Sequence, residues 1–414
     1  MLGLGLGLSR QRAAAFGAAQ ILDVPSGFPW TPPASIYKSG TDYFIDPDFN
    51  LQNHANISVT KTYYVDSVTG SDSNDGLTAL TPFKTMLKVN TKGDADRVIV
   101  ADGSYFYRNQ RSLEIARNLE VICEGSFSYT SDVSNIWGTW TPQTGYYQAS
   151  SAEYVASMYD LSNLDAYGNP INLTSVASIA AVQSTPNSFY WASSQIYVNT
   201  FDSRLPDADI KGFESLAFRF REDNMTQYWK GVTFIGTAQI YNDTSTGGSK
   251  FYIENSTTKR SIEVWGIAEF ISLNCRWEAG EDGINYDARL TKITNALEVN
   301  SYGANYFKGS TSGQGSTSHN GCNIVRVNCN YELNSGQNCA DVNSGYTWML
   351  GGHCQNSAID VGLYFSITEA WLDGVRVSDN DTSLQIDGAC IVNHRNLVLS
   401  GTVSVGGSAT YQPY

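Results

Sequence analysis

The stretch TYYVDSVTGSDSNDGLTALTPFKTM, Thr62 to Met86, sets a short aromatic and β-branched strand before a long polar turn and closes that turn with Pro82-Phe83-Lys84-Thr85. Tyr63, Val65 and Val68 alternate with polar residues as a strand does, and GSDSNDG (70–76) supplies Gly and Asx turn chemistry. RVIVADGSYF (97–106) and LEVICEG (119–125) follow, each a short β run holding or ending in a Gly turn. The same grammar recurs as GVTFIG (231–236), SIEVWG (261–266), FISLNC (270–275), ALEVNS (296–301), NIVRVNCNY (323–331), DGVRVSDN (373–380) and NLVLSGTVSV (396–405). Exact repeats are lacking, but a β-solenoid needs only that coils of about 20 to 30 residues stack their inward apolar positions. A jelly roll or sandwich also gives many short strands, yet would seldom run this long without clear hairpin signals.

Composition agrees with a β-rich chain. Charged residues make up 16% of the 414, against roughly 25% in ordinary soluble domains. Helix-favouring runs are confined to RQRAAAFGAAQIL (10–22) and the neighbourhood of Met86 to Val89. The formal charge of −14 and the absence of any Lys/Arg cluster exclude a nucleic-acid surface, while leaving a local cleft free to take an acidic sugar. No stretch approaches the roughly 20 apolar residues of a membrane span, so no membrane insertion is expected. MLGLGLGLSRQR is broken by Gly at every second residue and carries its positive charges after the run, which reads as a retained segment rather than an export signal. The seven Cys (123, 275, 322, 329, 339, 354 and 390) show no CxxC spacing, so no zinc site and no other metal or cofactor is expected. They read as small buried residues of stacked strands or, alternatively, as including an unpaired Cys that makes an interchain disulfide.

Four regions are expected. Residues 1–60 form an N-terminal arm whose Pro29, Pro32 and Pro33 fix an extended backbone suited to packing against a partner rather than a core of its own. Residues 61–136 are the cap and first coils, 137–212 an inserted β-rich subdomain dense in aromatics, and 213–414 the main solenoid.

The Thr62–Met86 stretch followed by VIVADGSY resembles the opening of pectate-lyase-like right-handed parallel β-helix proteins, where such a segment caps the helix and leads into its coils. The expected fold is therefore all-β, a right-handed parallel β-helix with an inserted subdomain and an N-terminal docking arm. Tyr197, Val198, Thr200, Asp202, Arg204, Pro206 and Asp207 match a YV-x-T-x-D-x-R-x-P-D motif of insertions in phage and prophage β-helix proteins; the residues alone read as a turn held by Arg204 on Asp202 or Asp207. The resemblance implies a bacteriophage tailspike, tail-fibre, collar or baseplate protein, assembled in the bacterial cytoplasm and located on the virion. It further implies a parallel homotrimer, contacts to other virion proteins through the arm, and a bacterial surface polysaccharide as the ligand.

Residue types suited to chemistry are densest between 278 and 353. A glycosidase needs two carboxyl groups about 5 to 9.5 Å apart, and Asp282 and Asp341 are candidates. A lyase needs a base and a cation to neutralise a uronate carboxylate, for which His319 and Arg326 are candidates. Glu281, Asn285, Tyr286, Asn320 and Arg326 are candidate sugar contacts. Against these stand plainer readings: Asp282-Gly283 and Asn320-Gly321 are ordinary turn dipeptides, His319 sits in a Ser/Thr/Gly-rich loop, and Arg326, alternating with Val325 and Val327, points out from its strand. Both a non-cutting glycan-binding appendage and a polysaccharide depolymerase fit the sequence.

Overall fold

The computed structural model describes residues 19–106, 117–164, 170–214, 216–220, 223–242, 248–278, 282–288, 294–304, 313–334, 336–357 and 361–414. It is a parallel β-solenoid of about 12 turns. From Lys250 onward the coils supply strands to three parallel sheets. In the first sheet the aligned residues Lys250, Glu269, Asn295, Asn323, Tyr346, Glu369 and Ile391 recur every 19 to 28 positions. The second sheet stacks the short strands Arg276–Glu278, Tyr302–Ala304, Asn330–Glu332, His353–Gln355 and Arg376–Ser378. The third stacks Ile262–Trp265, Ile284–Asp287, Ser316–His319, Cys339–Val342 and Val361–Ser366.

The turn from the first sheet to the second explains much of the Asn content. Asn255, Asn274, Asn300 and Asn328 each follow a first-sheet strand and each adopt a left-handed backbone, with φ between 51° and 54°. Asn tolerates that conformation because its short amide can hydrogen-bond locally. Here the amides bond to one another along the axis: Asn300 donates to Asn274 (3.0 Å) and Asn328 to Asn300 (2.9 Å). In the next two coils Gly351 and Gly374 take the same place, and a Cβ on them would stand 2.8 and 2.4 Å from the ring of Tyr43. Only Gly admits the residue that packs there.

Tyr43 belongs to the N-terminal region. Its described part forms a small antiparallel sheet (Gln20–Ile21, Ile36–Ser39, Asp42–Ile45) and a short helix, Leu51–Ala55. The expected helix over 10–22 is thus a strand at its described end, where Gln20 and Ile21 pair with Lys38 and Tyr37; residues 10–18 lie outside the described residues. Leu22, Phe28, Ile36, Tyr43 and Leu51 are buried with Leu297, Val325, Trp348 and Trp371 of the solenoid's first sheet. Phe28 meets Trp371 edge-on at 5.8 Å, Lys38 pairs with Asp373 at 3.1 Å, and His54 contacts Glu269 at 2.6 Å. The segment expected to pack on a partner therefore covers a flank of its own solenoid. Its prolines explain why 22–35 runs as an irregular strap.

The Thr62–Met86 stretch protects the edge of the first strand. Thr62–Val65 pairs on one side with Arg97–Val100. On its other side Tyr64 bonds Gly76 and Phe83 (2.8 and 2.9 Å), and Asp66 donates its N–H to Phe83 (2.8 Å). The polar turn so occupies groups that an open edge would leave to another chain. Its carboxylates serve the turn itself: Asp72 accepts from the N–H groups of Lys84 and Thr85, and Asp75 from Leu77 and Thr81. Thr85 caps the helix Met86–Lys92, which buries Met86 and Val89 in the first coils' core.

Strand Thr226–Ile235 lies in parallel register directly on Leu119–Thr130, so the segment between is an excursion between neighbouring rungs. It carries a seven-stranded, mainly antiparallel sheet between 141 and 213 with a separate core around Met158, Phe189, Ile196 and Val198. Arg204 touches Asp202 (3.3 Å) and Asp207 (3.4 Å), and binds the fully buried Asp160 through two bonds of 2.7 and 2.8 Å. Asp160, 44 residues away, is the partner that short-range reading missed.

All seven Cys are unpaired and buried. Burial pushes the thiols up, to about 11 for Cys123 and about 12 for Cys322 and Cys329. They are packing residues of the coils, as the first of the two readings had it. No helix among the described residues is long and apolar enough to cross a membrane.

Candidate functional site

The solenoid divides the 278–353 candidates among three places. Asp282 sits in the turn before the third sheet, accepting from Gln314 N–H and from the Asn285 amide, both at 3.1 Å. Asn285, Asp287 and His319 face outward from the third sheet, where Asp287 and His319 are register partners. Asn320 donates to Asp287 at 2.9 Å, and Thr317 lies 3.4 Å from the His319 ring. Glu281 lies outside the described residues.

Asp341, Arg326 and Tyr286 point the other way, into the core, each with 0% of its surface exposed. Asp341 is therefore not on a face with Asp282. Arg326 corrects the expectation that it points outward: Val325 and Val327 do, and are buried under the N-terminal strap, while Ile324 and Arg326 face inward. Alternation gave the right period and the wrong side, because both faces of this sheet are covered.

Inside, Arg326 donates to both Asp341 oxygens (2.7 and 2.9 Å) and to Ser316 Oγ (3.1 and 2.9 Å). Thr347 adds a third bond to Asp341 at 2.7 Å. Glu298, register neighbour of Arg326 and also 0% exposed, lies 3.6 Å from the guanidinium. It accepts from Ser316 (2.9 Å), Tyr331 (3.1 Å) and Trp277 (3.3 Å). Burial by itself would raise the Asp341 pKa, but Arg326 and the hydroxyl donors hold it below its ordinary value. Burial and the Glu298 charge push the Tyr286 phenol well up. This constellation is sealed from solvent, so no polysaccharide reaches it.

The second sheet presents a different surface. Its middle residues Trp277, Gly303, Tyr331 and Cys354 face in, and the flanking residues lie on the outer side in two rows, Ala304 among them fully buried. One row reads Arg276, Tyr302, Asn330, His353, Arg376; the other reads Glu278, Ala304, Glu332, Gln355, Ser378. Successive members stand about 4.8 Å apart along the axis. Tyr302, Asn330, Glu332, His353 and Gln355 line a concavity of about 220 Å³. Arg276 lies 4.2 Å over the Tyr302 ring and donates to Glu278 at 2.7 Å. The Tyr302 hydroxyl and the Gln355 amide both donate to Glu332, and His353 Nε2 meets Ser378 Oγ at 2.8 Å. A carboxylate, amides, an imidazole and a guanidinium gathered about a Tyr ring supply the donors and acceptors that sugar hydroxyls call for. Sequence reading passed over these residues because no motif joins them: they come from three coils and meet only through register. The tripeptides RWE, NYE and HCQ, each a polar pair about an inward residue, with YGA between the first two, are the signal that was available.

No family model matches the chain, and no curated protein matches it. Among solved structures it is similar to a glycoside hydrolase (9% identity, 85% of this chain and 96% of that chain, TM-score 0.49) and to XylC in complex with xylose (12%, 84% and 68%, TM-score 0.49). It is also similar to the tailspike protein gp49 from Pseudomonas phage LKA1 (12%, 79% and 70%, TM-score 0.27). At these similarities none of the three bears on activity or ligand.

Proposed function

We propose that this protein is a phage virion appendage of the tailspike or tail-fibre type that binds bacterial surface polysaccharide through the concavity on its second sheet. The observation that carries the binding role is that concavity: Glu332, Asn330, His353 and Gln355 offer convergent hydrogen-bonding groups beside Tyr302, whose ring lies under the Arg276 guanidinium. The appendage role is supported by the resemblance of the Tyr197–Asp207 motif to insertions in phage and prophage β-helix proteins. A homotrimer and attachment to other virion proteins belong to the same proposal.

A second reading, depolymerisation at the same place, is favoured by one feature. Glu278 and Glu332 point outward two rungs apart with the small Ala304 between them, a backbone separation of about 9.6 Å. That backbone spacing is close to the upper limit, about 9.5 Å, of the carboxyl separation at which a glycosidic bond is hydrolysed with inversion. Against it, both carboxylates are engaged as acceptors, Glu278 from Arg276 and Glu332 from Tyr302 and Gln355, and neither is placed to donate a proton. Binding without cutting is the better reading.

The test is incubation of the purified chain with a panel of bacterial surface polysaccharides, scoring retention on immobilised glycan alongside release of reducing ends and of unsaturated products. Retention of intact glycan supports the binding role. Reducing ends lost in Glu278→Gln and Glu332→Gln would establish the hydrolase instead, and no retention across a panel that includes the host's own glycan would sink both.

A further inference from the structure

The strands that present the concavity on one face close the buried ion network on the other, and we propose that Glu298 is the positioning residue that fixes the concavity's geometry. This rests on the reading that the concavity binds glycan. One oxygen of Glu298 accepts from Trp277 Nε1 (3.3 Å) and from Tyr331 Oη (3.1 Å). Trp277 is the inward residue between Arg276 and Glu278; Tyr331 is the inward residue between Asn330 and Glu332. A single carboxylate so ties two second-sheet strands that lie two rungs apart. The strand between them carries Tyr302 and has Gly303 inward, where a Cβ would stand 2.7 Å from the Tyr331 ring. The middle strand is thus seated on the ring that Glu298 holds.

Glu298 is fixed in turn. Ser316 donates to its other oxygen at 2.9 Å, and Arg326, anchored by two bonds to Asp341, lies 3.6 Å away. From Trp277 to Thr347 the network crosses four successive coils, and the concavity it underlies draws on Tyr302, Asn330, Glu332, His353 and Gln355 from three of them. Two buried carboxylates sharing one guanidinium are a poor source of net stability, since apolar residues of similar volume often do as well. A role in holding one arrangement of strands accounts for their presence where Leu or Val would otherwise serve. Functional faces need such support, because side chains that make contacts must be locked by packing and bonding beneath them.

The test uses Tyr331→Phe and Trp277→Phe, which each remove one tie to Glu298 and keep a ring in place, with Glu298→Gln as the stronger perturbation and Val392→Ala as a core control in a remote coil. Two readouts are taken at a temperature where every variant is folded. The first is the affinity for the polysaccharide that the wild type retains, expected to weaken about two- to tenfold in the three network variants and not in the control. The second needs no glycan: the chain has four His, so the His353 ring resonance is a local reporter. It is expected to shift or broaden in the network variants while His394 stays put. If the wild type retains no glycan, the binding reading fails and the His353 signal still decides the positioning role. Network variants that lose stability but leave both affinity and the His353 resonance at wild-type values would overturn the proposal, even should Glu298→Gln not fold.

Discussion

Asp341→Asn separates a structural role for Asp341 from a catalytic one. The substitution preserves shape and removes the charge that faces Arg326 in a site with no exposed surface. Of the two bonds of 2.7 and 2.9 Å only one keeps an oxygen acceptor, the other setting an amide NH2 against a guanidinium N–H, and Arg326 is left with Glu298 at 3.6 Å as its remaining carboxylate. Removing one partner of a buried pair typically costs about 3–5 kcal/mol, because the other charge stays buried and uncompensated. With an unfolding entropy of about 2.1 cal/mol/K per residue over the chain, that corresponds to a fall of about 3–6 °C in melting temperature if the solenoid melts as one unit. The assay is thermal unfolding followed by far-ultraviolet circular dichroism, repeated from neutral pH downwards. Asp341 has its folded pKa below the ordinary 3.8, so its contribution is present above that value and is lost as pH falls through the folded one. The gap between wild type and variant should therefore be full at neutral pH and narrow only below about pH 4. A variant that melts with the wild type at neutral pH, or that stays folded and loses glycan cleavage, would refute the reasoning.

Further outcomes follow from the turns, the strap and the thiols. Asn300→Ala should cost about 1–2 kcal/mol in urea unfolding, because Ala must hold a φ of 52° and the amide ladder is cut; Asn300→Gly, which keeps the conformation and loses only the ladder, should cost less. Gly374→Ala should loosen the N-terminal strap, since its Cβ would lie 2.4 Å from the Tyr43 ring; limited proteolysis should then cut within 19–57 faster than in wild type, and an equal rate would count against the contact. With seven buried, unpaired thiols, the native chain should react with a thiol reagent only slowly and the denatured chain with all seven, and it should migrate identically on reducing and non-reducing gels.

The fold was legible because period and turn chemistry do not depend on which neighbour a strand meets. FISLNC, ALEVNS and NIVRVN each yield a strand and a stop, and Thr62–Met86 yields the first rung and its guard. The candidate site was not legible, because facing direction is set by what lies over each sheet. With the first sheet covered by the strap, strands such as Asn323–Val327 are buried at every position, and a charged residue there reads as exposed when it is not. Matching Glu298 in ALEV with Arg326 in IVRV would have paired them, and the Asn or Gly that follows the first-sheet strands from Lys250–Glu254 to Ile391–Arg395 would have fixed the register. The residues of the concavity needed that register before they could be gathered at all.

The most direct measurement compares calorimetric titrations of one bound polysaccharide into wild type, Tyr302→Ala and His319→Ala. The first substitution strips the ring from the second sheet; the other alters the outward face of the third sheet, where the sequence alone had placed a catalytic base. Binding weakened at least about tenfold by Tyr302→Ala and unchanged by His319→Ala is the expected result, a difference of about 1.4 kcal/mol. Binding that survives Tyr302→Ala and is lost in His319→Ala would contradict the account and move the glycan site to the third sheet.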